Sequence, residues 1–170
     1  NNPTFTVSAA ARSNAVVAFD SALAAERRST ARDPSRQRMI EDSLFTATER
    51  FVAAAAPDDA KPALVAMGRR ASEAQRWDVV ADVFARVADR WATDAFAPDA
   101  RKFVGDARYK QGRYADAQAE WRRAQAAAMQ GNRKAFADSI VSARIAAASQ
   151  AADSLAKRGE WWVLAGSMPP

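Results

Sequence analysis

Cysteine and histidine are both missing from the 170 residues of this chain. Their absence removes disulfides, thiolate nucleophiles, Cys/His zinc sites and the usual general base near neutral pH. It leaves the compartment open, because a chain without cysteine suits any redox environment. Glycine (6) and proline (7) are sparse and stand at apparent boundaries, the distribution an all-α protein needs. No apolar run approaches the roughly 20 residues of a membrane helix, so no transmembrane span is expected. Hydrophobic residues make up 49%, yet much of that share is alanine. Alanine favours helix and close approach but buries little area. The bulk of the core must therefore come from eight Phe, five Trp and two Tyr, with a modest set of Val, Leu and Ile.

Charge is also uneven. The formal net charge is +5, with arginine doublets at Arg27-Arg28, Arg69-Arg70 and Arg122-Arg123. The plain reading of these is a solvated surface. The sharper reading takes Arg27, Arg28, Arg32, Arg36 and Arg38 as a basic cluster that contacts nucleic acid or anionic lipid. No aromatic stands near that cluster for base stacking, which makes nucleic acid the lesser expectation and leaves peripheral membrane contact open. The adjacent acids Glu41-Asp42 and Asp58-Asp59 are the best carboxylate pairs for catalysis. Both read as helix-start charges that complement the macrodipole. There is no phosphate loop, metal-ligand spacing or nucleophile motif, so neither an enzyme nor a cofactor or metal is expected.

Along the chain, residues 1–7 alternate polar and apolar and read as an extended arm in which Phe5 and Val7 are apolar. Helical character runs from about Ser8 to Thr30. Asp33-Pro34 then caps and starts a second helix, which the spacing of Met39, Ile40, Leu44, Phe45, Phe51 and Val52 carries to about Ala56. Pro57-Asp58-Asp59 starts a third helix, through Leu64, Val65 and Gly68. A fourth begins at Trp77, with Val80, Val83, Phe84, Val87 and Trp91 on one face. Ala97-Pro98-Asp99 opens a fifth that reaches Gly112, Tyr114 opens a sixth that ends near Gln130, and the last runs from about Arg133 to Lys157. Seven helices in antiparallel pairs are expected, followed by an apolar tail at 159–170 that contains Trp161, Trp162, Val163 and Leu164.

The most informative stretch is 98–131. Small residues at Gly105, Ala107, Ala117 and Ala124 alternate with Tyr109, Tyr114 and Trp121, and Gly112-Arg113 breaks the stretch in two. Two helices that touch at glycine and alanine, with aromatics wedged between them, are written this way. A weaker copy at 61–96 carries Met67, Gly68, Ala71, Trp77, Val80, Phe84 and Val87, and has Gln75-Arg76 where a glycine turn would stand.

These positions resemble the tetratricopeptide repeat (TPR) family. The long joint from Arg90 to Arg101 is similar to that of bacterial cell-envelope members, of the outer-membrane-assembly lipoprotein and Tol–Pal-associated types. Those carry a tyrosine-proline pair where this chain has Trp91-Ala92. The resemblance implies one all-α domain: a TPR-like α-solenoid with a degenerate hairpin at 8–56, two repeats, a capping helix at 133–158 and the tail. It further implies a non-catalytic scaffold for protein partners, an accessory or assembly subunit of a membrane-associated bacterial complex on the periplasmic side. The first helices of the repeats would line the groove with Arg69, Glu73, Lys102, Asp106, Tyr109 and Lys110. Lys102 matches the lysine of TPRs that clamp acidic chain ends, whereas Asp106 replaces their asparagine and argues against that ligand. The tail is expected either to cap the last helix or to dock into a partner or membrane interface. Since the chain opens on Asn1-Asn2-Pro3, a processed start is expected, with any signal or lipid-bearing residue upstream.

Overall fold

Seven α-helices follow one another in the computed structural model, which describes residues 9–157 and Gly159: α1 (Ala9–Arg28), α2 (Pro34–Val52), α3 (Pro57–Glu73), α4 (Trp77–Arg90), α5 (Ala97–Lys110), α6 (Tyr114–Gln130) and α7 (Lys134–Lys157). Among the described residues there is no strand and no helix long and apolar enough to cross a membrane. The chain divides into two compact units, the first ending at Met67 and the second beginning at Gly68. The N-terminal arm and the Trp161–Leu164 tail lie outside the described residues.

In the first unit α1 packs against α2. Asp33 caps α2 as its position before Pro34 requires, accepting hydrogen bonds from the Ser35 and Arg36 amides at 2.8 and 3.3 Å. Leu23, Leu44, Phe45 and Val52 are buried. Helix α2 stops four residues before the expected Ala56. The run Ala53–Ala56 offers no bulky anchor, and Pro57 disfavours helical geometry in the residue before it. The Ala54 and Ala55 amides turn back onto the Phe51 carbonyl instead. Glu41 is not a helix-start charge but sits well inside α2, buried, where its carboxylate accepts from Gln37 and faces Arg27. The pair Asp58 and Asp59 does occupy the first turn of α3.

The second unit is built on close approach. Gly68 presents its backbone to the Phe84 ring, and a β-carbon there would lie 2.6 Å from the ring edge. Thirty-seven residues further along, Gly105 does the same to Trp121 at 2.4 Å. Phe84 is fully buried and stacks on Phe103, centroids 4.6 Å apart, while Phe96 of the joint closes the trio. A second cluster gathers Ala117, Trp121, Ala124, Ile140 and Ala147, with Tyr109 and Phe136 against it. Neighbouring helices pack in sequence, α4 on α5, α5 on α6 and α6 on α7.

Side chains also join α5 directly to α7. Arg133, just before α7, grips both carboxylate oxygens of Asp99 near the start of α5, and the Tyr109 hydroxyl near the end of α5 donates to Gln150 in α7. The two helices therefore run in the same direction, with α6 antiparallel between them. Arg101 ties α5 to Asp89 of α4 and Glu120 of α6.

Three helix ends share one turn. The amides of Arg76, Arg113 and Arg133 each reach back five residues, to the carbonyls of Ala71, Arg108 and Ala128, the Schellman pattern. Each turn needs a residue with positive φ, supplied by Gln75 (57°), Gly112 (75°) and Asn132 (55°). The missing glycine at 75 is thus a left-handed glutamine, which costs about 1–2 kcal/mol relative to right-handed backbone. Because Gln75 is exposed, Gln75→Gly should stabilise the chain by about 0.5–1 kcal/mol once the extra flexibility of unfolded glycine is counted. A raised urea midpoint checks it, and a lowered one would mean the Gln75 side chain contributes to the fold.

Candidate functional site

A groove of about 440 Å³ opens in the second unit. Its apolar lining comes from Trp77 and Val80 of α4, Phe103 and Ala107 of α5 and Trp121 of α6. The far wall is a row of alanines on α7, Ala143, Ala146 and Ala147, followed by Gln150. Asp106, Tyr109 and Lys110 of α5 complete it. A row of alanines makes a shallow, smooth wall, and the half-buried Trp77 and Phe103 rings leave aromatic surface for a ligand to cover.

Of the six groove residues expected from the sequence, the structure brings four together. Asp106, Tyr109 and Lys110 line the groove, and Lys102 stands one turn back, its ammonium 2.7 Å from the Asp106 carboxylate. Arg69 and Glu73 are exposed on α3 but do not line it, the α3 contribution being Ser72.

The four residues have different tasks. Asp106 is engaged on both oxygens, accepting from the Trp121 indole N–H at 2.9 Å and from Lys102. It holds the tryptophan that wedges α5 from α6, and an asparagine there would give up the charge that Lys102 balances. Tyr109 lies between Tyr114 and Trp121, ring centroids 5.4 and 5.8 Å away. Lys110 is exposed and reaches the rim.

Burial is the main reason that the Tyr109 phenol titrates above its ordinary value of 10.0, and neighbouring Tyr114 adds to the shift. The folded state therefore favours the neutral ring. That preference adds stability below the ordinary value, and the stability is lost as pH rises through the higher folded one. Tyr109→Phe should flatten the loss of stability above pH about 10, read by urea melts at stepped pH. An unchanged alkaline limb would contradict it.

The wall on α7 escaped sequence reading because alanine carries little periodic signal. Arg144 was missed as well. It clamps α7 to α6 through Gln118 and Gln125, and burial first, then Arg122, pushes its pKa down. Trp77 was legible as a helix start and a position of the weaker repeat copy, Phe103 was not singled out, and nothing marked either as a ligand floor.

The first unit carries the basic cluster. Arg36 pairs with buried Glu26, 3.6 Å apart, and Arg27 with buried Glu41, 3.9 Å apart. Glu26 also accepts the Asp33 amide. Two of the five arginines thus answer acids that burial would otherwise leave uncompensated. A larger groove, about 1160 Å³, runs along the α1/α2 hairpin of this unit. Among the described residues, no cluster of three or more acidic side chains could hold a metal ion. Comparison with family models, with curated proteins and with solved structures finds no match to this chain.

Proposed function

We propose that the chain is a non-catalytic protein–protein interaction scaffold of TPR-like build, an accessory or assembly subunit of a membrane-associated bacterial complex on the periplasmic side. The observation that carries this reading is the second-unit groove, an apolar floor of Trp77 and Phe103 beside a polar edge of Asp106 and Lys110. Such a combination takes an extended or helical peptide, with side chains on the rings and charges at the rim. Two features support the TPR-like part. The glycine–aromatic approach recurs 37 residues apart, and α5 and α7 run parallel with the groove beside them. Protein binding is preferred over nucleic acid or lipid because Arg27 and Arg36 already answer buried carboxylates.

The test is an affinity pull-down from native membranes with three baits: the full chain, a Tyr109→Ala/Lys110→Glu variant, and the chain truncated after Arg158. A defined complex captured by the full and truncated chains but lost with the groove variant is the expected result. Capture that follows the tail and ignores the groove variant would move the binding site to Trp161–Leu164 and refute the groove.

A further inference from the structure

The hairpin groove of the first unit has its own chemistry, and it lies wholly within α1, α2 and the turn after them. Its lining follows α2 from Ser35 to Arg50, about 22 Å of helix at 1.5 Å per residue, and goes on to Ala53 and Ala54 just past the helix end. Two large apolar side chains stand in it, Phe19 at 36% exposure and Met39 at 63%. Unbranched Met beside an aromatic is an adaptable surface for another apolar side chain.

The charges in the groove are lopsided. Arg12, Arg38 and Arg50 line it against one acid, Asp42. Among the described residues no ion pair forms at any of these three arginines, in contrast with Arg27 and Arg36 of the same hairpin, which have carboxylate partners. Arg38 and Arg50 are twelve residues apart on α2, about 18 Å along its axis.

We propose that this groove docks an amphipathic helix of a partner protein, one with an apolar stripe and acidic side chains about three turns apart. A groove that offers exposed Phe19 and Met39 together with three arginines matches a helix with an apolar stripe and acidic side chains. A lipid surface is flat at this scale and would be met better by a convex basic face. This groove shares no lining residue with the one in the second unit, so its occupant is independent of the partner proposed there.

The probe is a fluorescein-labelled synthetic helix with leucines at helical spacing and two glutamates eleven residues apart, set against a twin with lysines in their place. Binding to the full chain is read by fluorescence anisotropy at low salt, for wild type and for Arg38→Glu/Arg50→Glu. The glutamate helix should bind wild type about ten-fold more tightly than its twin, and the charge-reversed variant should prefer the lysine helix. That reversal cannot come from a misfolded variant, which would bind neither. Equal binding of the two helices to wild type would overturn the proposal, as would an unchanged preference in the variant. Arg38-dependent binding to phosphatidylglycerol vesicles with no helix preference would assign the face to a membrane. Sedimentation showing self-association that Met39→Glu abolishes would assign it to a second copy of this chain, and either result refutes the helix.

Discussion

Trp121→Ala is expected to lower stability by about 3–5 kcal/mol, the range for emptying a buried aromatic site. Trp121 is only 3% exposed and sits where α5, α6 and α7 meet. Its loss acts twice. The ring is the filler that Gly105, Tyr109 and Ile140 pack around, and rigid helices on all sides cannot collapse into the gap. The indole N–H is also a donor to Asp106, so alanine leaves that carboxylate with Lys102 alone and adds the cost of a deprived acceptor. Trp121→Phe retains a ring without the N–H and should lose about half as much. Arg122→Ala, next door but exposed, should stay within about 0.5 kcal/mol of wild type. Urea unfolding followed by far-ultraviolet circular dichroism measures all three. An unchanged midpoint for Trp121→Ala would show that the indole is not the wedge described here.

Gly105→Ala comes next, and its sign depends on its neighbour. In an exposed helix the change would stabilise by about 0.5–1 kcal/mol. Here the new β-carbon would fall 2.4 Å from Trp121 Cδ1 and 2.5 Å from Nε1, well inside contact distance. The ring is locked by Asp106 and Tyr109 and cannot swing aside cheaply, so the helices must part. Overpacking of this kind costs about 1–3 kcal/mol. In the Trp121→Ala background the obstacle is gone, and Gly105→Ala should then stabilise by about 0.5–1 kcal/mol. A double-mutant cycle gives the difference. Additive effects would contradict the claim that glycine at 105 exists to admit the indole.

What could be read in the sequence tracks the size of the side chains. Gly105 and Gly68 were visible as small positions, and Trp121 and Phe84 as large fillers, because small and bulky residues recurring at fixed spacing leave a strong mark; which filler meets which glycine is set by the geometry. The helix starts at Pro34, Pro57 and Ala97 were visible through proline and acid chemistry. Other features left little trace. Gln75 carries a left-handed turn that only glycine or asparagine would have advertised, and the α7 wall is alanine with weak periodicity. Glu41 looked like a helix-start acid because its partners, Arg27 and Gln37, are brought to it only by the hairpin and by the helix turn. Arg69 and Glu73 were drawn to the groove by repeat phase, yet Ser72, between them, is the residue that lines it.

The central claim is that a protein partner sits in the groove beside α5. The most direct measurement is site-specific photocrosslinking in the native host, with the photoreactive residue at Lys110 on the groove rim or at exposed Arg123 on α6. A discrete protein adduct from position 110, absent from 123 and lost with Phe103→Glu, is the result this account expects. Adducts from 123 alone, or equally from both positions, would contradict it.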